Sequence, residues 1–100
     1  MRDYEVLYII DPNTTDDGVP AVMEKFSKLI SDQGGEVTSA ELWDKGRRML
    51  AYPIAGHKEG IYVLMHFKSA MAAPLELDRV MRIDEAILRH LVTRTDVRQE

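Results

Sequence analysis

The most concentrated chemistry in the sequence is a basic stretch from Lys45 to Lys58 that contains no acidic residue. Its four cationic side chains are Lys45, Arg47, Arg48 and Lys58. An arginine can donate two parallel hydrogen bonds to a phosphate group, and its planar guanidinium stacks on unpaired bases. An edge strand protected from aggregation by charge is the alternative, but that role needs fewer cations. The stretch therefore favours binding to RNA or another polyanion.

The charge of the whole chain points to how such binding would work. The formal net charge is −4, with ten acidic and three basic residues in 1–44, against seven acidic and ten basic residues in 45–100. Electrostatic fields act over about 8–10 Å at physiological salt, so a basic segment can bind anions on an acidic protein. The chain as a whole is too acidic to hold RNA strongly by itself. We therefore expect it to need a basic partner protein.

Catalytic and metal-binding patterns are missing from the sequence. There is no cysteine, and the three histidines, His57, His66 and His90, lack the spacing of a zinc site. No nucleophile elbow and no phosphate-binding glycine loop is present. We predict no enzyme activity, no metal, no cofactor and no small-molecule substrate. No apolar run reaches the ~18 residues that span a bilayer, and the first ten residues do not resemble a secretory signal, so we expect no membrane partner and a cytoplasmic location.

Hydrophobic periodicity predicts the order strand, helix, strand, strand, helix, strand, which is the ferredoxin-like βαββαβ arrangement of an α+β protein. In this arrangement a four-stranded antiparallel sheet carries both helices on one face. Residues 1–95 form a single predicted domain, and 96–100 form a short polar tail. The predicted elements are Asp3–Ile10, a helix from about 16–20 to the glycines at 34–35, Glu36–Tyr52, Gly60–Lys68, a helix from about 72–74 to Arg82, and Ile87–Thr93.

Local breaks divide these elements. Gly46 predicts a bulge or bend within the second strand, and Pro53 with Gly56 predicts the turn that follows it. Because two helices cover only one face of the sheet, the alternate residues of the third strand must face water or a partner. Those residues are Tyr62, Leu64, His66 and Lys68. Aromatic, aliphatic and cationic groups together on an open sheet are typical of a binding surface.

Four motifs in order resemble a known family. Residues 46–54 read Gly-Arg-Arg-Met-Leu-Ala-Tyr-Pro-Ile, and the others are Met1-Arg2-x-Tyr4-Glu5, Gly60-x-Tyr62 and the run Arg-Ile-Asp-Glu-Ala-Ile-Leu-Arg-His at 82–90. Together they resemble bacterial small-subunit ribosomal protein six, whose signature is Gly-basic-basic-x-Leu-Ala-Tyr-Pro-Ile. The resemblance extends from the first residue to about Arg94, whereas 69–75 match no family signature.

The resemblance implies a ferredoxin-like fold and a structural role in the small ribosomal subunit. It also implies binding to the central domain of small-subunit ribosomal RNA, together with ribosomal protein eighteen, during assembly of the platform. Basic positions of the family match Arg2, Arg47, Arg48, Arg89 and Arg94. With Lys45 and Lys58 these form the predicted RNA-binding set, whereas the four open-face residues of the third strand are expected to meet the partner or solvent. A small-molecule-binding regulatory domain of the same fold is the alternative.

Overall fold

The structure is a computed structural model that describes residues 1–15, 17–54 and 57–95, and within these ranges it describes the side chains outside 44–58. The predicted tail at 96–100 and the predicted turn residue Gly56 lie outside the described residues. The elements are β1 (Arg2–Ile10), α1 (Gly18–Asp32), β2 (Glu36–Ile54), β3 (His57–Ser69), α2 (Ala72–Ile83) and β4 (Ile87–Arg94).

The strands form one four-stranded sheet in the order β2-β3-β1-β4, and all neighbouring strands are antiparallel. Strict alternation along the two central strands, β1 and β3, produces one face that is almost fully buried. Both helices contribute to the same core on that face, with Phe26 and Ile30 from α1 and Leu77 and Met81 from α2. The ferredoxin-like prediction is therefore confirmed.

Aromatic packing fills the centre of this core. The rings of Tyr8 and Phe26 meet edge to face with centroids 5.4 Å apart, and the rings of Tyr4 and Phe67 stack at 5.4 Å. Such geometries place the positive ring edge or an offset face against the negative π surface of the neighbour. Burial raises the pKa of the Tyr8 hydroxyl, which therefore stays protonated at any physiological pH.

The β2–β3 hairpin is longer than the sequence predicted. Pro53 lies inside β2 and does not form the turn, because β2 continues to Ile54, which pairs with His57. Proline is tolerated there since β2 is an edge strand and its missing N–H breaks no bond to a further strand. The described pairing of β3 with β1 ends at Ile61. The segments 47–54 and 57–60 therefore form a two-stranded extension past the end of β1, which we call the basic hairpin.

An irregularity near Gly46 separates this extension from the rest of β2. Leu42 pairs with Val63 but Arg47 pairs with Ile61, so five residue steps along β2 correspond to only two steps along β3. The bulge that Gly46 predicted is confirmed. Bulges bend a strand and increase its local twist.

Two glycines bring α1 to an end against β3. Gly34 has φ of 81°, a left-handed conformation that glycine adopts without steric cost. At Gly35 an added Cβ would lie 2.7 Å from Ile30 Cγ2 and 3.0 Å from the Lys68 carbonyl oxygen. The chain therefore enters β2 through a contact that only a residue without a side chain permits.

We expect Gly35→Ala to lower the free energy of unfolding by about 1–3 kcal/mol, because the added methyl group must displace the helix end from the backbone of β3. Urea denaturation measures the change. Ser31→Ala, at an exposed position of the same helix, is the matched control and should stay within about 0.5 kcal/mol of the unsubstituted protein. Equal stabilities for the two variants would contradict the close approach at Gly35.

Candidate nucleic-acid interface

The sheet face away from the helices is the candidate interface. Tyr62, Leu64, His66 and Lys68 all lie on it, as predicted, since the residues that alternate with them in β3 are buried in the core. Strand register places residues of β1 and β2 beside them in successive rows across the sheet. These rows divide the open face into an acidic end, an apolar middle and an aromatic end.

Acidic residues surround the two basic groups at the acidic end. Lys68 lies between Glu36 of β2 and Asp3 of β1 in register, and its Nζ is 4.0 Å from Asp3 Oδ1. In the next row, His66 Nε2 is 3.7 Å from Glu5 Oε2, and His66 Nδ1 is 3.1 Å from the Ser39 hydroxyl. Carboxylates therefore neighbour both basic groups, and this end of the open face is predominantly negative.

A band of leucines crosses the middle of the open face. In register, Leu64 of β3 lies beside Leu7 of β1, which lies beside Leu91 of β4. Leu91 is 65% exposed, an unusual amount of free apolar surface for a strand residue. Glu41 completes the row on β2. An exposed apolar band bordered by acids is the composition expected where a protein partner docks.

The aromatic end contains a residue, Trp43, that the sequence predicted to lie in a strand but not in a binding site. Trp43 of β2 contacts Tyr62 with ring centroids 5.7 Å apart and an interplanar angle of 50°. In register, Ile9 and then Arg89 of β4 continue the row beyond Tyr62. The signal that could have identified Trp43 is its position two residues after Glu41 on the same strand face, with one residue, Asp44, between it and the acid-free stretch.

The predicted RNA-binding residues occupy two ends of the sheet. Lys45, Arg47 and Arg48 lie in β2 and Lys58 in β3, in or next to the basic hairpin, although their side chains lie outside the described residues. Arg89 is exposed and lies at the same end of the sheet, opposite Ile9. The structure thus brings β4 and the basic hairpin to one end.

The remaining two predicted residues are at the far end. Arg2 begins β1, and Arg94 lies opposite Tyr4 on the side of the sheet that the helices cover. Along a strand, the distance from Arg2 to the row of Arg89 is roughly 20–25 Å. Arg94 also borders a cleft of about 450 Å³ formed with exposed Met71 and Leu75 of α2. The predicted RNA-binding residues are therefore divided between the two ends of the sheet, which the sequence did not predict.

Two carboxylates fix β4 to the helices. Asp84 Oδ2 accepts a hydrogen bond from Lys25 Nζ of α1 at 2.5 Å, and Asp84 Oδ1 accepts one from the Ala86 N–H at 2.9 Å. Burial alone would raise the pKa of the Asp84 carboxyl, but these bonds and the Lys25 charge hold that pKa below its usual value. The chain is thereby held in position just before β4 begins.

The second carboxylate is Asp78 of α2. It is 2.7 Å from Nε2 of half-buried His90 in β4 and also contacts Arg82 one helical turn away. The hydrogen bond with His90, together with the Arg82 charge, holds the pKa of Asp78 below its usual value. Because Asp78 connects α2 to β4, the exposed residues of β4 are held at fixed positions on the sheet edge.

Comparisons with known proteins identify the family. Residues 3–94 match the family model described as "Ribosomal protein S6". A small ribosomal subunit protein bS6 from Desulforamulus reducens is 52% identical over 94% of this chain and 97% of its own length. One from Desulforudis audaxviator is 47% identical over 96% of this chain and 100% of its own. The chain belongs to the ribosomal protein S6 family. It is therefore a protein of the small ribosomal subunit, associated with the ribosome in the cytoplasm, and not an enzyme.

A solved structure supports the same assignment at the level of the fold. The crystal structure of the S6 protein from Thermotoga maritima superimposes with a TM-score of 0.87 and 28% identity, over 94% of this chain and 87% of that one. The S6 signature at 46–54 coincides with the β2 side of the basic hairpin and the bulge before it. Membership of the S6 family leaves no support for the alternative of a metabolite-binding regulatory domain.

The parts of the S6-family chain that the structure describes contain no group of three or more residues placed to hold a metal ion. Neither of the two described helices is long and apolar enough to cross a membrane.

Acidic pH should weaken the contacts of Asp84 that hold the chain just before β4. A carboxyl whose pKa is lower in the folded than in the unfolded chain stabilises the fold at pH values above its unfolded pKa, and this stabilisation is lost as the pH falls through the folded pKa. Asp84→Asn retains the acceptor for Ala86 but removes the charge. We expect it to lower the free energy of unfolding by about 1 kcal/mol at pH 7, and the difference to disappear between roughly pH 5 and pH 2.

Urea denaturation at several pH values measures this dependence. Asp32→Asn is the matched control, because Asp32 pairs with Lys28 on the solvent side of α1, where an exposed ion pair contributes little. A constant difference between Asp84→Asn and the unsubstituted protein from pH 7 to pH 2 would contradict the role of the Asp84 charge.

Proposed function

We propose that this chain binds the central domain of small-subunit ribosomal RNA cooperatively with ribosomal protein eighteen during assembly of the platform. The observation that carries the proposal is the division of charge along the sheet. Three acids, Asp3, Glu5 and Glu36, lie at one end of the open face, and Glu41 lies in the leucine row. The basic hairpin and Arg89 lie at the other end.

The proposed RNA contact is the end of the sheet that carries the basic hairpin and Arg89. Phosphate groups attract Lys and Arg side chains, and such contacts position a protein on RNA without reading its sequence. Lys45, Arg47, Arg48, Lys58 and Arg89 come from three strands that share this end of the sheet. The two-stranded extension projects past the end of β1, and RNA is recognised mainly through its shape and unpaired bases.

Arg2 and Arg94 are proposed as a second RNA contact. Their register places them at the far end of the neighbouring strands β1 and β4, one diagonal step apart. Arg94 lies roughly 17 Å and Arg2 roughly 20–25 Å from the row of Arg89, so they would meet a different segment of a folded RNA. Two separated contacts of this kind would fix the orientation of the protein on the RNA.

The partner protein is assigned to the acidic end and the leucine band of the open face. Carboxylates beside His66 and Lys68 attract a basic protein, and exposed Leu91 with its row supplies apolar area. Complementary charge accelerates association and selects the partner. A basic partner would also cancel the acidic charge that repels RNA from this chain, which makes the two binding events cooperative.

Removing arginines that bind phosphate should reduce the salt dependence of RNA binding. For the chain together with ribosomal protein eighteen, we expect the Arg47→Ala, Arg48→Ala double variant to bind a central-domain RNA fragment more weakly. The slope of log K against log salt should fall by about one unit for each phosphate group that the variant no longer binds. Filter binding at several salt concentrations measures both quantities.

Arg79→Ala is the matched control for that experiment. Arg79 is an exposed arginine of α2 that pairs with Glu76 at 2.5 Å, remote from the open face. Its removal should leave the slope unchanged. An unchanged slope for the double variant would remove Arg47 and Arg48 from the RNA-binding surface.

Cooperativity has its own test. We expect the chain alone to bind the RNA fragment weakly and the chain with ribosomal protein eighteen to bind it tightly, measured by titration with and without the partner. The Glu5→Gln, Glu41→Gln double variant should bind the partner more weakly, because two acids of the open face are neutralised. Asp32→Asn on α1 is the control. Tight RNA binding that does not depend on the partner would contradict the cooperative mechanism.

A further inference from the structure

The exposure of Trp43 is not explained by the fold. Trp43 is the only tryptophan of the chain and is 40% exposed, although tryptophan has the largest apolar surface to bury. It is absent from the core residues and from those that pack against the core, and its described ring contact is with Tyr62 on the open face. Partly exposed tryptophan is typical of binding surfaces, because the indole is rigid, apolar and carries one polar donor.

The aromatic pair lies at the boundary between the two charged regions. On one side, Glu41 is two residues before Trp43 on the same face of β2. On the other side, the basic hairpin begins at Arg47, after the bulge that follows Leu42. Arg89 lies in the same row as Tyr62, with Ile9 between them. The pair thus lies between Glu41 on one side and the strands of the basic hairpin on the other, with Arg89 in its own row.

The environment of Trp43 and Tyr62 is suited to binding a nucleotide. A nucleotide combines a flat apolar ring, which stacks on an aromatic side chain, with a phosphate, which is attracted by cations and repelled by carboxylates. A base over Trp43 and Tyr62 would have its phosphate directed toward the basic hairpin and away from Glu41. An apolar side chain of a protein partner would gain nothing from the charge of Arg89 in the same row.

We infer that Trp43 and Tyr62 form a stacking site for one unpaired base of the ribosomal RNA. The inference rests on the proposed RNA-binding function and adds to it a contact with a base, where the arginines contact phosphates. It also divides the open face, with RNA on the row of Trp43 and the partner protein on the rows of Glu5 and Leu64.

Substitution of Trp43 tests the stacking. In the complex with ribosomal protein eighteen, Trp43→Leu should weaken binding of the central-domain RNA fragment roughly tenfold, the effect expected when one base no longer stacks. The slope of log K against log salt should not change, because stacking releases no counterions. Trp43→Phe retains an aromatic ring and should recover part of the affinity. Ile83→Ala removes an exposed apolar side chain at the end of α2 and should have no effect.

Changes in the RNA locate the base and do not depend on the stability of the variant. Unpaired nucleotides of the fragment are replaced one at a time by abasic nucleotides. With the unsubstituted protein, one replacement should weaken binding about as much as Trp43→Leu does. With Trp43→Leu the same replacement should weaken binding no further, because the two changes remove one shared interaction. Independent, additive decreases in affinity would overturn the inference.

A spectroscopic label reports the occupant directly. A fluorinated tryptophan incorporated into this chain gives a single fluorine resonance, since Trp43 is the only tryptophan. The resonance should shift when RNA joins the protein pair. A shift on addition of ribosomal protein eighteen alone, with no further change on addition of RNA, would assign the aromatic pair to the partner and overturn the inference.

The two proposals fail differently. If the unsubstituted protein pair binds RNA but Trp43→Leu binds equally well, base stacking is wrong and the proposed function stands. If the unsubstituted pair does not bind the fragment at all, both are wrong.

Discussion

The structure depends on a simple constraint, which is that two helices can cover only one face of a four-stranded sheet. Alternating residues of β1 and β3 bury one face completely against α1 and α2, with Tyr8 and Phe26 at the centre. The residues at the alternate positions of the strands form the other face, which no helix covers. In this chain those positions hold acids at one end, leucines in the middle and aromatic rings at the other end, so the requirement for a core also creates an organised surface.

The separation of charge along that surface gives a physical reason for an acidic protein to take part in RNA binding. With a net charge of −4, the chain gains little from long-range attraction to phosphate. Beyond about 8–10 Å, however, salt screens the acids at one end of the sheet from the cations at the other. Under the proposed function the same acids would attract a basic partner, so both signs of charge would serve one assembly.

Much of the fold follows from local sequence patterns. Period-two alternation in β3 and the glycines after α1 act over a few residues, and both predicted the structure well. The length of the β2–β3 hairpin did not follow, because Pro53 signals a turn locally but lies within β2, an edge strand that pairs on one side only. Edge position is a property of the sheet and cannot be deduced from the neighbours of Pro53 in sequence.

The acid-free stretch, the four family motifs and the absence of cysteine are visible in the linear sequence, and they already indicate a ribosomal, non-catalytic role. Only the folded chain shows which distant residues meet. Strand register places Arg89 at the end of the sheet from which the basic hairpin extends, but leaves Arg2 and Arg94 at the opposite end of the sheet. Trp43 meets Tyr62 across two strands, and Lys25 meets Asp84 across 59 residues. The physical reason is that residue type and periodicity act locally, whereas register and bulges depend on how the whole sheet pairs.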